Sequence, residues 1–296
     1  VKDEYAEKEK ATVQVTFMTR AISNPEVNAG GLETNEHMRT LRVIVARTST
    51  GDILYNVKYD IEKNETQKTI TFSELTVNKD GENFDFYAIA NEDGVGYTEK
   101  SWDNVGIDDL KKMTLQNGFL TNVNTSKEFY IPQTAYQLIT VNPQGGGGMQ
   151  SETMTLNFAV AKVRLTINNT STVKQTVSEI KLSGLNMAST PLFAEGSLST
   201  VNNGKLSLDS MTIHAGQSAT VYAYFFENTR GEYSLTAKWK GDKELKFGSG
   251  TTYNIGSIPR GTELDINITL NATTKPSFNI EVVPWTEVKV DVPPFN

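Results

Sequence analysis

The sequence predicts an all-β chain made of two Greek-key β-sandwich domains in tandem. Three observations predict it. Apolar and polar residues alternate with period two in short segments along nearly the whole chain, and those segments are bounded by Gly, Asn and Asp. A flexible stretch, Pro143-Gln-Gly-Gly-Gly-Gly148, divides the segments into two groups, which sets the domains at residues 1–146 and 147–296.

Taken in order, Val1 to Lys10 is mostly charged and reads as a solvated leader. Val13, Val15 and Phe17 then alternate with polar neighbours over Ala11 to Met18, which predicts the first strand. Leu41/Val43/Val45, Ile53/Tyr55/Val57/Tyr59/Ile61 and Phe84/Phe86/Ala88 follow the same rule. Thr50-Gly51-Asp52 and Lys79-Asp80-Gly81 are turns, because Gly accepts positive φ and Asp bonds its own backbone. One short helix is expected, over Ile107 to Met113.

After the glycines, Leu156 to Asn168 reads as one long strand whose apolar phase slips once. Leu156, Phe158 and Val160 share one parity and Val163, Leu165 and Ile167 the other, so a bulge is expected near Ala161-Lys162. This strand would open the second sandwich, with Lys162, Arg164 and Thr166 on its wet side. Val173/Val177/Ile180/Leu182 is irregular. Ala219 to Phe226 is apolar on both faces and is expected to be central. Tyr233/Leu235/Ala237/Trp239 and Leu264/Ile266/Ile268/Leu270 alternate cleanly, and Ile280/Val282 and Val288/Val290/Val292 come last.

Composition narrows the function. The chain has 296 residues, a net charge of −7 and a pI near 5.1, which argues against a nucleic-acid partner needing a basic face. No apolar run has the roughly 18–20 residues needed to span a bilayer. The chain opens on Val1 rather than Met, so processing at the N-terminus is expected. With no cysteine there are no disulfides, thiolate metal sites or thiol nucleophiles.

Catalytic signals are lacking. The only two histidines, His37 and His214, fall in different expected domains. The glycine run lacks the Lys-Ser/Thr of a phosphate loop, and Glu92-Asp93-Gly94 and Asp108-Asp109 lack calcium-loop spacing. Sequons at Asn64, Asn124, Asn168, Asn169, Asn267 and Asn271 reflect a composition rich in Asn and Thr. A non-enzymatic protein without cofactor or metal is expected.

Four segments carry a family resemblance. Asp85-Phe-Tyr-Ala-Ile-Ala-Asn91 is an aromatic strand ending in Ala-Asn, and Ile131-Pro-Gln-Thr-Ala135 stands late in the first half. Phe158-Ala-Val-Ala-Lys-Val163 opens the second half, and Val283-Pro-Trp285 lies near the end. In order and spacing across nearly the whole chain these resemble the Bacteroidetes fimbrillin family, the subunits of type V pili. Phe158 stands where an Arg is common in the family, and Pro259-Arg-Gly261 where Arg-Asn is common.

The resemblance implies two transthyretin-like β-sandwich domains, a lipoprotein precursor exported to the outer membrane of a Gram-negative bacterium, and a place in a cell-surface fimbrium that supports adhesion. It further implies that an Arg-specific surface protease cuts after an arginine behind the first strand. In this sequence that residue is Arg20, followed by a loop rich in Asn, Pro and Gly. The freed strand would be the one carrying Val13, Val15 and Phe17, and the donor from a neighbouring subunit would be the segment with Val288, Val290 and Val292. Partners are then other pilus subunits, in a homopolymer or with anchor and tip subunits, and a host or bacterial surface ligand. Within the family a stalk subunit is favoured, against a tip adhesin whose C-terminal segment packs on itself. The rival from another class is a carbohydrate-binding surface lipoprotein. Of the three tryptophans, Trp239 and Trp285 are expected in the core or groove, leaving Trp102, beside Asp103, as the candidate ligand contact.

Overall fold

The structure, a computed structural model, describes residues 8–19, 32–63, 65–96, 101–126, 128–144, 148–193, 204–228, 232–240, 243–246, 253–254 and 256–285. Strands come first as β1 (Lys8–Thr19), β2 (Thr40–Arg47), β3 (Ile53–Asp60), β4 (Gln67–Asn78) and β5 (Glu82–Ala90). The helix α1 (Ile107–Lys112) leads to β6 (Thr114–Gln116), the helix α2 (Asn117–Thr125), β7 (Gln133–Val141) and β8 (Gln150–Phe158). Next are β9 (Ala161–Asn169), β10 (Gln175–Leu185), β11 (Ser189–Pro191), β12 (Gly204–Leu208) and β13 (Met211–Ile213). The last are β14 (Ser218–Phe225), β15 (Glu232–Trp239), β16 (Lys243–Lys246), β17 (Tyr253–Asn254), β18 (Thr262–Leu270) and β19 (Ser277–Pro284).

The chain forms two compact units. The first comprises Val1–Met113, Glu128–Phe158 and Leu192–Gly196, and the second the remainder. In the first unit the strands run in the order β3-β2-β5-β7-β8-β1-β4. β8 joins the two layers by pairing with both β7 and β1. Between the layers lies one core that includes Val13, Val15, Phe17, Val43, Phe72, Phe84, Phe86, Met154 and Leu156. The second unit sets the sheet β14-β9-β18-β19 against a sheet built on β12-β10-β15-β16. Its core includes Val163, Leu165, Ile167, Leu182, Phe225, Leu235, Ile266 and Ile268. Each unit is a β-sandwich, so the architecture is all-β.

Several elements differ from the sequence reading. Leu156 to Asn168 is two strands, β8 and β9, and the chain passes from the first unit to the second between Phe158 and Ala159. The slip in apolar phase is therefore a change of core, not a bulge within one strand. Leu156 and Phe158 are buried in the first unit, whereas Val163, Leu165 and Ile167 line the core of the second. The glycine run does not mark this crossing, and Gly145 to Gly147 lie outside the described residues. β6 and α2 also belong to the second unit, where β6 pairs with β11. Of the expected leader, Lys8 to Lys10 already form the start of β1, with exposed side chains.

The expected central strand, Ala219 to Phe226, is β14, at the edge of its sheet. Its second apolar face is explained by Tyr222 and Tyr224, which pack on Lys162 and Trp285 respectively. Asn124 of α2 covers its outer backbone edge. The Asn124 Nδ2 donates to the Tyr224 carbonyl at 2.9 Å, and the Tyr224 N–H donates to Asn124 Oδ1 at 2.8 Å. A side-chain amide thus stands in for a neighbouring strand and blunts the edge.

Candidate functional site

The feature that could exchange a strand is the position of β1. It is an inner strand, antiparallel to β4 on one side and parallel to β8 on the other. Val15 is paired with Ile70 of β4 and Glu152 of β8, and Phe17 with Lys68 and Met154. Along β1 from Ala11 to Thr19 every second side chain is buried, and Val13, Val15 and Phe17 are fully so. The alternating sequence causes this directly: three apolar side chains point into the core while Gln14 and Thr16 point out. Thr16 and Thr69 meet through their hydroxyls at 2.9 Å on the outer face.

Removing β1 would leave two unsatisfied edges about two strand spacings, or roughly 10 Å, apart. The core strip under Ile70, Phe72, Met154 and Leu156 would be exposed with them. At the far end the Thr19 N–H donates to the Thr66 carbonyl at 3.0 Å, which holds the last residue of β1 in the ladder. Arg20 follows Thr19 in the sequence and lies outside the described residues, as do Val288, Val290 and Val292.

Trp102 is half-buried in a single 3-10 turn. Its carbonyl accepts from Asn56 Nδ2 at 2.8 Å, and its ring lies 6.0 Å from the Arg42 guanidinium carbon. Arg42 is the hub of a polar cluster. It forks onto the buried Glu92 carboxylate and reaches Asp103 at 3.1 Å, while Lys58 reaches Glu92 at 3.1 Å. Contact with Glu92 and Asp103 raises the Arg42 pKa, against burial, the largest single influence on it. The Glu92-Asp93 pair is thereby an ion-pair element, and Asp109 accepts from the Gly106 N–H at the start of α1.

Among the described residues no three His, Cys, Asp or Glu side chains are placed to hold a metal ion. His37 and His214 lie in separate units. No described helix is long and apolar enough to cross a membrane.

The four sequence segments meet in two pairs. In the first unit Asn91 sits in the left-handed region at φ 59°. Its side chain accepts from the Arg39 N–H and donates to the carbonyls of His37 and Ile131, so the Ala-Asn and Ile-Pro segments are tied through one amide.

In the second unit Lys162 is fully buried rather than on the wet side. β9 is an inner strand, and its second face is covered by Tyr222, Glu263 and Trp285. The Lys162 ammonium lies 4.8 Å from the Tyr222 ring centre, 5.5 Å from that of Trp285 and 3.7 Å from a Glu263 oxygen. Trp285 stacks on Tyr224, with ring centres 5.7 Å apart, and its backbone N–H donates to the Gly261 carbonyl. Burial holds the Glu263 carboxyl above the usual carboxylate range, opposed by Arg164 and Lys162. Sequence reasoning missed this cluster; the Ala-Lys and Pro-Trp segments were visible, but not their contact. Trp239 is buried, with its indole N–H donating to Gln175 at 2.9 Å.

No family model matches the chain, and no curated protein does. Solved structures do match its fold. The tip fimbrial protein of Porphyromonas gingivalis, with a C-terminal truncation, is similar with a TM-score of 0.65 and 12% identity, over 93% of this chain and all of that one. A candidate cell adhesion protein of Bacteroides eggerthii is similar at 0.56 and 13%, over 94% and 96% of the two chains. A fimbrial assembly protein of Parabacteroides distasonis is similar at 0.52 and 15%, over 94% and 99%. Likeness at such identities is likeness of fold: this chain has the fold of the Bacteroidetes fimbrial proteins.

Proposed function

We propose that the protein is a structural subunit of a cell-surface fimbrium, with no catalytic role, and that it assembles by donor-strand exchange. The observation that carries this reading is β1, a single inner strand whose loss would open a groove with two hydrogen-bonding edges. The shared fold with a tip fimbrial protein and a fimbrial assembly protein supports the same reading.

In this scheme an Arg-specific surface protease cuts after Arg20 and β1 leaves the precursor. The segment with Val288, Val290 and Val292 of a neighbouring copy then lies in the groove. Strand addition satisfies both edges with ladder hydrogen bonds, and alternate side chains fill the core strip. Burying three valines is worth on the order of 5–9 kcal/mol gross, before ordering costs. Many bonds must break together for the strand to leave, which makes a durable filament without disulfides. The precursor is exported as a lipoprotein in this reading, and Trp102 is the residue we assign to any surface ligand.

Treating the precursor with an Arg-specific protease should yield a new N-terminus at Ala21 and allow polymers to form. Changing Val288, Val290 and Val292 together to Ser should leave a folded subunit that cannot extend a polymer. A cut at other arginines while Ala21 never appears, or normal polymerisation by Arg20→Ala, defeats the cleavage step. A triple-serine chain that unfolds as a monomer would place that segment in its own core, as in a self-packed tip adhesin.

A further inference from the structure

The edge strand β19 is poorly held by its own side chains. From Asn271 to Val283 no residue is buried, and Phe278, Ile280 and Val282 pack only partly on the core of the second unit. At the end of this strand stands Trp285, 4% exposed. It stacks on Tyr224 of β14 and faces Lys162 of β9, while Glu263 of β18 lies against the same ammonium. The backbone adds to this hold, since the Trp285 main-chain N–H donates to the Gly261 carbonyl and the Gly261 N–H to the Val160 carbonyl. One indole therefore touches the other three strands of its sheet, directly or through Lys162.

The geometry points to a clasp: Lys162, Tyr224 and Trp285 pin the C-terminal end of β19, and tension entering the chain after Trp285 passes through the indole into β9, β14 and β18. The physical reason is the order in which contacts break. A strand at a sheet edge peels from its free end one ladder bond at a time unless that end is fixed, and here the end is the best-buried part of the strand. A buried cation facing an aromatic ring is held without water to compete for it, which favours a fixed geometry. Residues 286–296 follow directly on the clasp in the sequence. If they form the donor strand, which is the reading proposed above, the clasp is the joint through which one subunit pulls on the next.

The test has an arm independent of that reading. Hydrogen exchange on the intact monomer should show the amides of β19 exchanging about tenfold faster or more in Trp285→Ala and Lys162→Ala, with β15 and the core of the first unit unchanged. Trp285→Phe and Lys162→Arg, which keep the ring and the charge, should restore most of the protection. Unchanged exchange in β19 on loss of the indole would overturn the clasp. So would equal exposure throughout the second unit, since the indole would then be an ordinary core residue. In the second arm, protease-treated Trp285→Ala should still polymerise but give filaments that shear into shorter pieces than wild type. Wild-type filaments that never form would defeat donor-strand exchange and leave the exchange result standing. Filaments of Trp285→Ala as strong as wild type would overturn the mechanical role.

Discussion

Single side chains in this protein do two kinds of work that their type alone does not announce. Asn91, exploiting the tolerance of Asn for the left-handed region, ties the ends of two segments of the first unit. Glu263 does the opposite of an ordinary surface acid. Burial raises its pKa, and Arg164, with Nε donating to the carboxylate at 2.9 Å, and Lys162 only partly offset that rise. A carboxyl that holds its proton more tightly when folded lends stability at pH values below its unfolded pKa and loses that contribution as pH rises through its folded pKa. The stability difference between wild type and Glu263→Gln should therefore move against the wild type as pH climbs from the acid range towards neutral. Urea midpoints taken across that range measure it; a difference that stays flat, or shifts towards the wild type, refutes the assignment.

At the scale of elements the same edge that invites strand addition must be guarded wherever addition is unwanted. β14 ends its sheet, and Asn124 satisfies both outward backbone groups of Tyr224. Asn124→Ala would leave that donor and acceptor without their partner, at about 1–3 kcal/mol, and would open the edge to other chains. Chemical denaturation should register the first effect and concentration-dependent light scattering the second; a variant as stable and as monodisperse as wild type contradicts this account. The amide of the Asn124 sequon is thus engaged in structure.

Much of this architecture was legible in the sequence. Period-two alternation locates β1, β2, β3, β5, β15 and β18, because each of these strands has a face on a core, and it puts Val13, Val15 and Phe17 on the buried face of β1. Three things were not legible. The Leu156 to Asn168 segment keeps its alternation through a single slip with no turn residue to break it, and nothing local says that its two phases face different cores. α2, Asn-Gly-Phe-Leu-Thr-Asn-Val-Asn-Thr, is built from poor helix formers and is held by burial of Phe119, Leu120 and Val123. Lys162 looked solvent-facing because the groups that cover it, Tyr222, Glu263 and Trp285, are distant in sequence.

For the whole molecule, the exchange scheme carries a question of direction that the geometry of the groove can decide. β1 offers Val13, Val15 and Phe17, while the proposed donor offers Val288, Val290 and Val292, so one position must replace a phenylalanine by a valine. A donor running as β1 does would set Val292 at the Phe17 position; a reversed donor would set Val288 there. The ladder of β1 with β4 is antiparallel and extends from Lys8 to Met18, whereas the parallel one with β8 spans only Val13 to Thr19. Antiparallel pairing is the slightly stronger of the two, so a donor keeping the direction of β1 retains the longer and better ladder, and this is the direction we expect. A valine at the Phe17 position leaves unfilled volume beside Met154, its register partner on β8, and cavities of that kind cost stability in proportion to their size. Val292→Phe should accordingly strengthen the junction, raising the denaturant concentration at which filaments dissociate, while Val288→Phe should overpack a site sized for Val13 and lower it. If Val288→Phe is the strengthening change and Val292→Phe the weakening one, the donor runs antiparallel to β8 instead. If neither alters dissociation, the three valines do not occupy the groove that β1 leaves.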